Sequence, residues 1–340
     1  MSPGRPPTRL KDVADRAGVS VKTVSNVVND FPYVRDSTRA RVQSVLDELG
    51  YQPNLSARHL RSGRTGVIAL AVPELDAPYF SELASHVVRA AIEVGWTVLI
   101  DETGGDRDRE RAVVAGIRGS MIDGALLSPL ALHESDLDQG ASAVPLVLLG
   151  ERFGSGSADH VAIDNETAAR ELTEHLIARG RTRIAVVGSQ GPPYGHTARL
   201  RLAGYRTALT EAGLTYDPSL VVPVRQWRRP AGAEAARTLL DRPDRPDAIF
   251  CLNDLLALGV LRTLADEGVV VPDDIAVAGF DDIEESRYHR PELTTVAPDK
   301  AEIARQAVAR LAARLRPGPQ APAEEVTVAH QLLVRGSSGG

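Results

Sequence analysis

The 340-residue chain has one cysteine, Cys251, so it can close no internal disulfide and build no cysteine-based metal site. Paired cysteines are commoner in secreted chains, so a cytoplasmic setting is expected. Aromatic residues make up only 4%, so the cores must be built mainly from Ala, Val, Leu and Ile. No apolar run approaches the roughly 18 residues of a membrane-spanning helix, so no membrane partner is expected. The opening stretch Met1-Ser2-Pro3-Gly4-Arg5-Pro6-Pro7 lacks the apolar core of a signal peptide. His160, His196 and His289 are scattered without metal-ligand spacing, so neither a metal nor any other cofactor is expected. What the chain does have is size. At about 150 residues per domain it should form two or three domains, and apolar residues at 43% can bury large cores.

A net charge of −6 argues against a nucleic-acid partner only if the charge is evenly spread. It is not. Residues 1–64 hold 11 Lys+Arg against 6 Asp+Glu, a local charge of +5, which leaves −11 on the remainder. A small basic head on a large acidic body is expected where only the head meets a polyanion.

The head reads as short helices. Leu10, Val13, Ala14 and Ala17 fall on one helical face, and Gly18 ends that helix. Ser20 is a good N-cap for a second helix, Val21 to Asn29. A third runs from about Ser37 to Leu49, and Gly50-Tyr51-Gln52-Pro53 breaks the pattern. Asn54–Arg61 is a short Ala/Leu/Arg-rich stretch, followed by the linker Ser62–Gly66. The body then alternates strand and helix. Val67–Val72 is a continuous apolar run suited to a strand buried on both faces. Strands at Thr97–Ile100, Ala125–Leu127 and Leu146–Leu149 alternate with helices at Phe80–Val94 and Arg107–Arg118. A second series begins with a helix, Glu166–Arg179, for which Asn165 is the expected cap. Its strands are Arg183–Val187, Ala248–Leu252 and Ile275–Ala278, and the chain closes with a helix, Lys300–Leu315, and a strand, Glu325–Val334. Such alternation predicts parallel sheets. Two series in tandem predict two doubly wound subdomains with a cleft between them, ligands lying beyond the carboxyl ends of the strands.

The first two helices have helix-turn-helix logic. Ala14 lets them cross closely, Gly18 suits the tight turn, and Val24 packs between them with Val27 and Val28. The second helix then turns Val21, Lys22, Ser25, Asn26 and Asn29 outward, where they can reach base edges and phosphates in a major groove.

At this point a resemblance becomes specific. Asp12-Val13-Ala14, Ala17-Gly18-Val19-Ser20, Thr23-Val24-Ser25, Val27-Val28-Asn29 and Leu49-Gly50-Tyr51-Gln52-Pro53-Asn54 closely resemble the opening of the lactose/galactose-repressor (LacI/GalR) family. It continues in order through Arg201-Leu202-Ala203-Gly204, Asn253-Asp254, Ala278-Gly279-Phe280-Asp281-Asp282 and Pro291-Glu292-Leu293-Thr294-Thr295-Val296. The resemblance implies that Val21, Lys22 and Asn26 read base edges. Asn26 stands where well-known members often have Arg or His and suits adenine, so the operator should differ from the common one. Thr23, Ser25, Asn29 and Arg35 look like phosphate contacts, which position the helix without reading sequence. Leu55–Arg61 resembles the family's hinge helix. There Leu60 would wedge into the minor groove and Ala57 would let two hinge helices approach.

The tandem subdomains resemble sugar-binding periplasmic proteins as well. The resemblance places effector contacts at Arg201, Asn253 and Asp281, and an aromatic pair, Tyr79 and Phe80, at the first loop of the cleft. Trp227 either stacks on a sugar ring or packs at the periphery. Glu151 and Arg152 either contact ligand or pair with each other. The implied map is a helix-turn-helix domain at 8–53, a hinge at 54–65, and two α/β subdomains, 66–164 with 296–325 and 165–295 with 326–336. No heptad helix follows Val334, so the expected assembly is a homodimer on a near-palindromic double-stranded DNA operator. The effector should be a small molecule, most commonly a sugar in this family, and purine nucleosides stay open given Tyr79-Phe80. A secreted sugar-binding protein would share the body's fold but not the head. A nucleotide-cofactor enzyme is the other alternative, but Gly188-Ser189-Gln190-Gly191 lacks the full phosphate-loop spacing and runs into Pro192-Pro193. No catalytic constellation stands at a recognisable motif, so the chain is not expected to be an enzyme.

Overall fold

The computed structural model describes residues 8–28, 31–51, 64–116, 121–138, 144–150, 158–191, 195–319 and 321–339. The chain divides into two compact units, Met1–Thr65 and Gly66–Gly340. In the first, α1 (Leu10–Ala17), α2 (Val21–Val28) and α3 (Asp36–Glu48) close around Val13, Ala14, Ala17, Val24, Val27, Val42, Val45 and Leu46. Gly18 adopts φ 62°, a left-handed turn that a residue with a side chain resists. The backbone N–H of Thr23 donates to Ser20 Oγ at 3.1 Å, the N-cap expected for α2. Arg16 and Glu48 pair at 2.6 Å between α1 and the end of α3.

The second unit carries two six-stranded sheets. The first is built from β1 (Val67–Val72), β2 (Thr97–Glu102), β3 (Gly124–Leu127), β4 (Leu146–Leu149), β5 (Asp159–Ile163) and β11 (Glu325–Val328). Its order is β11-β5-β4-β3-β1-β2, parallel throughout. The second is built from β6 (Ile184–Ser189), β7 (Val221–Pro223), β8 (Ala248–Cys251), β9 (Ala276–Phe280), β10 (Thr294–Pro298) and β12 (His330–Leu333). Its order is β12-β10-β9-β8-β6-β7, parallel except for the β10–β12 pair.

The helices of this unit are α4 (Pro78–Glu93), α5 (Arg107–Val114), α6 (Glu134–Asp138), α7 (Asn165–Ala178), α8 (His196–Glu211), α9 (Arg229–Leu240), α10 (Asp254–Asp266), α11 (Glu285–Tyr288) and α12 (Lys300–Arg314). On one face of the first sheet α4 and α12 bring together Leu83, Val87, Ala91, Ala304, Ala307 and Leu311. The second sheet is covered by α9 and α10 on one face and by α7 and α8 on the other. The central strands are buried on both faces, which is why they read as unbroken apolar runs.

Three of the differences from the sequence reading concern how the chain passes between the two sheets. The run 325–334 is two strands, not one: the chain leaves the first sheet after Val328 and joins the second at His330. The boundaries drawn at 295/296 and 325/326 therefore fall inside β10 and β11, and the crossings lie at Asp164, Asp299 and Ala329. Finally, Asn165 does not cap α7. Asp164 does, its Oδ1 accepting from Thr167 N at 3.0 Å, and Asn165 is the first helical residue. Asp299 caps α12 the same way, accepting from Glu302 N at 2.9 Å, so two of the three crossings turn into a helix on an aspartate. Among the described residues no helix is long and apolar enough to cross a membrane.

Candidate functional site

In the head, Val24 and Val27 are buried, which turns Val21, Lys22, Ser25 and Asn26 to the other side of α2. Val21 is 45% exposed and Lys22 is exposed; Ser25 and Asn26 are half-buried. Thr23 is half-buried, its Oγ1 2.9 Å from Ser20 Oγ, and Arg35 is exposed just before α3. Asn29, Ala57, Leu60, Glu151 and Arg152 lie outside the described residues.

In the body, loops at the carboxyl ends of the strands of both sheets enclose a cavity of about 810 Å³. Tyr79, Phe80, Arg201, Trp227, Asn253 and Asp281, drawn from five separate loops or helix starts, all line it. Asp281 follows β9 and has φ 114°, an uncommon backbone for a residue with a side chain. Its carboxylate stands 3.8 Å from the Arg201 guanidinium. Burial pushes the Asp281 carboxyl up to about 6, although Arg201 and Lys300 pull it down.

Arg201 is itself buried. Its Nε donates to Asn165 Oδ1 at 2.9 Å and its Nη1 to the Leu252 carbonyl, while its Cζ lies 3.4 Å from the Phe280 ring centroid. That explains why Asn165 is not a cap: its side chain is committed to holding the arginine. Trp227 donates from Nε1 to the Gly188 carbonyl at 2.8 Å, and its ring centroid is 5.5 Å from Arg201 Cζ. The indole thus both packs on the second core and presents a surface to the cavity. Asn253 caps α10 through Leu256 N at 2.9 Å and reaches the Trp227 carbonyl with Nδ2 at 3.4 Å. Tyr79 and Phe80 meet edge to face at 5.2 Å.

Four groups around the cavity were not singled out from the sequence. Asp254 is fully buried beneath it and accepts from Thr295 Oγ1 at 2.7 Å, Ser286 Oγ at 2.8 Å and Ile283 N at 3.1 Å. Burial, with repulsion from Asp281, pushes its carboxyl up to about 8. Its signal was an acid opening a helix, Leu255-Leu256-Ala257-Leu258, that is apolar all round. Arg228 spans the cleft, pairing with Glu74 at 2.7 Å and Asp76 at 2.6 Å. Lys300 opens α12, yet its Nζ donates to Glu82 on α4 and, at 3.1 Å, to the Asp282 carbonyl. Glu82 in turn accepts from Glu284 N at 3.2 Å, so the first subdomain holds the loop that carries Asp281. No local spacing announces a contact between residues so far apart in sequence.

A helix-turn-helix head joined to two parallel sheets that share a polar cleft defines a DNA-binding regulator controlled by a small molecule. The comparisons agree. Residues 9–54 match the family model for bacterial regulatory proteins of the lacI family, and residues 173–338 match a periplasmic binding protein-like domain. The ribose operon repressor of Escherichia coli K12 is 35% identical, with 97% of this chain and 99% of that protein covered. A solved structure described as a transcriptional regulator of LacI family, from Sanguibacter keddieii, is 46% identical with a TM-score of 0.75, covering 82% of this chain and 100% of that one. The lac repressor dimer bound to operator and the anti-inducer ONPF is 27% identical with a TM-score of 0.84, covering 98% and 99%. The chain belongs to the LacI family of bacterial regulatory proteins. It is a DNA-binding transcriptional regulator governed by a small-molecule effector.

Proposed function

We propose that the chain is a homodimeric repressor that binds a near-palindromic operator through α2 and responds to a sugar held in the cleft. The carrying observation is the cluster at the cavity: a carboxylate, a guanidinium, an amide and aromatic surfaces, brought together from distant parts of the chain. Asp281 accepts from neighbouring hydroxyls, Arg201 and Asn253 donate to ring or hydroxyl oxygens, and Trp227, Tyr79 and Phe80 cover the apolar faces of the ring. Val21, Lys22 and Asn26 read base edges, and Thr23, Ser25, Asn29 and Arg35 hold phosphates. Ala57 and Leu60 act in the minor groove by resemblance to the family's hinge. The chain acts in the cytoplasm and performs no catalysis, a reading supported by its relatives, which are transcriptional regulators.

Control works as a population shift. An effector acts through its different affinity for two subdomain orientations. Arg228 with Glu74 and Asp76, and Lys300 with Glu82 and Asp282, are the contacts such a change would remake. The test is selection of bound DNA from a random pool, repeated with a panel of sugars. A near-palindromic site whose recovery changes with one sugar is expected. Recovery of no common site would end the DNA-reading assignment, and a site indifferent to every sugar would end the effector assignment.

A further inference from the structure

The loop that carries Asp281 is gripped by a piece of chain far from it in sequence. The loop covers residues 281–293, from the end of β9 to the start of β10. Its first two residues, Asp281 and Asp282, stand at φ 114° and 44°. Two residues with side chains thus occupy left-handed backbone in succession. Such a conformation persists only where the surroundings over-determine it. The Asp281 N–H donates to the Val296 carbonyl at 2.8 Å, which ties the first residue to β10.

Among the described residues three cations reach Asp282. Lys300 Nζ donates to its carbonyl at 3.1 Å, Arg287 Nη2 to Oδ2 at 2.6 Å and Arg335 Nη2 to Oδ1 at 2.6 Å. They are not equivalent. Lys300 opens α12, which packs on the first sheet, so its contact changes when the subdomains reorient. Arg287 lies in the loop itself and its side chain is 59% exposed, which leaves it a weak tether. The Arg335 side chain is 12% exposed and comes from the frame of the second subdomain. Burial pushes the Asp282 carboxyl up, but the bonds from Arg287 and Arg335 outweigh it and hold it below the usual carboxylate range.

Arg335 is fixed in turn. Its backbone N–H donates to Thr294 Oγ1 at 2.8 Å, and its Nη1 donates to the Leu293 carbonyl at 2.9 Å. Two residues on, the Ser337 N–H donates to the Glu292 carbonyl at 2.9 Å. Ser337 is fully buried. Its Oγ accepts from Thr294 N at 2.8 Å and donates to the Val277 carbonyl at 2.6 Å. The segment after β12 therefore holds the loop at both ends, at Asp282 and at Glu292 and Leu293, and fastens it to β9 and β10.

We propose that Arg335–Ser338 is a clasp on the effector loop and that Arg335 is a positioning residue for Asp281. It touches no effector. It fixes Asp282, and with it the direction in which the neighbouring Asp281 carboxylate meets the cavity. Its contacts lie within the second subdomain, so they survive a reorientation that remakes the Lys300 contact. The proposal rests on the effector reading above, but its first test needs no effector.

That test is hydrogen–deuterium exchange of the full chain, read by mass spectrometry. Arg335→Met should speed exchange in residues 281–293 by about tenfold or more while α10 and β6 stay within about twofold. Arg335→Lys keeps the charge and a donor, and should recover most of the protection. Ser337→Ala changes no charge and should loosen the same residues; it also guards against an Arg335→Met chain that does not fold. A rise spread evenly over the second subdomain would reduce the segment to general stability and overturn the proposal. Unchanged protection in residues 281–293 would overturn it too.

The second arm is calorimetry with ribose, glucose, galactose and adenosine. A compound that binds the unaltered chain should bind Arg335→Met at least about tenfold more weakly, with Arg335→Lys between the two. Equal affinity in all three chains overturns the positioning role. Binding of adenosine alone ends the sugar reading and leaves the affinity comparison to be made with adenosine. If none of the four binds, the exchange result decides the clasp.

Discussion

Asp281 shows how one side chain can set both affinity and stability. A sugar can donate two charge-assisted hydroxyl bonds to this carboxylate only when the group is ionised, and burial has moved its midpoint to about 6. Effector affinity should therefore be flat above pH 7 and fall below pH 6 by about tenfold per pH unit, read by calorimetry. An affinity indifferent to pH between 5 and 7 would remove Asp281 from the contact. The stability effect has the opposite sign. A carboxyl whose folded midpoint lies above its unfolded value of 3.8 favours the folded state at low pH, and that contribution is lost as pH rises from about 4 to 6. The ionised, buried form costs about 3 kcal/mol at neutral pH. Asp281→Asn should thus abolish effector binding yet raise the thermal unfolding midpoint at pH 7 by a few degrees; a lower midpoint would contradict it. Asp281 was legible in the sequence because it follows an apolar strand. Asp254 was not, because an acid at a helix start reads as an exposed partner of the helix dipole, and only the tertiary fold buries it.

At the scale of elements, α9 and α10 pack backbone against backbone. A Cβ on Gly259 would lie 2.0 Å from the Arg229 carbonyl, and one on Gly232 would lie 2.1 Å from that of Leu256. Gly259→Ala should destabilise the body by about 1–3 kcal/mol or more, visible in urea titration, since neither backbone can yield. The rim is softer. Arg228 is partly exposed, and each such ion pair is worth up to about 1 kcal/mol. Arg228→Gln should leave the fold intact and speed effector release by about threefold to tenfold in stopped-flow chase; unchanged release would show that the span across the cleft does not retain ligand. Long helices and the continuous apolar strands were readable because period and burial agree there. The β7 strand was missed because three residues carry no period, β5 and β10 were missed because they open on the polar pairs Asp159-His160 and Thr294-Thr295, and β11 and β12 were merged because one apolar alternation runs through both. Asp164 and Asn165 are equally good caps in isolation. What decides between them is Arg201, which needs the asparagine oxygen.

At the scale of the molecule, the head at +5 and the body at −11 are separate compact units. Deleting residues 1–64 should leave a body that melts cooperatively and binds effector unchanged, with all operator affinity lost. The full chain's operator affinity should fall steeply with salt, because the head's Lys and Arg displace counterions from phosphates. Salt-independent binding would contradict a reading led by the head. The charge split and the two α/β series were visible in the sequence; the threading between the series was not, since it depends on which sheet each late strand joins.

That threading bears on synthesis. The first sheet is bounded by β11, and α12 covers a face of its core beside α4, yet both follow five of the second sheet's six strands in the chain. On the ribosome, the apolar faces of Leu83, Val87 and Ala91 must wait for Ala304 and Leu311 to emerge. A nascent chain stalled before Lys300 would hold a helix-turn-helix with its core complete and a first subdomain that cannot finish folding. Translation arrest in that interval should yield a species that chaperones capture, while the head is already native.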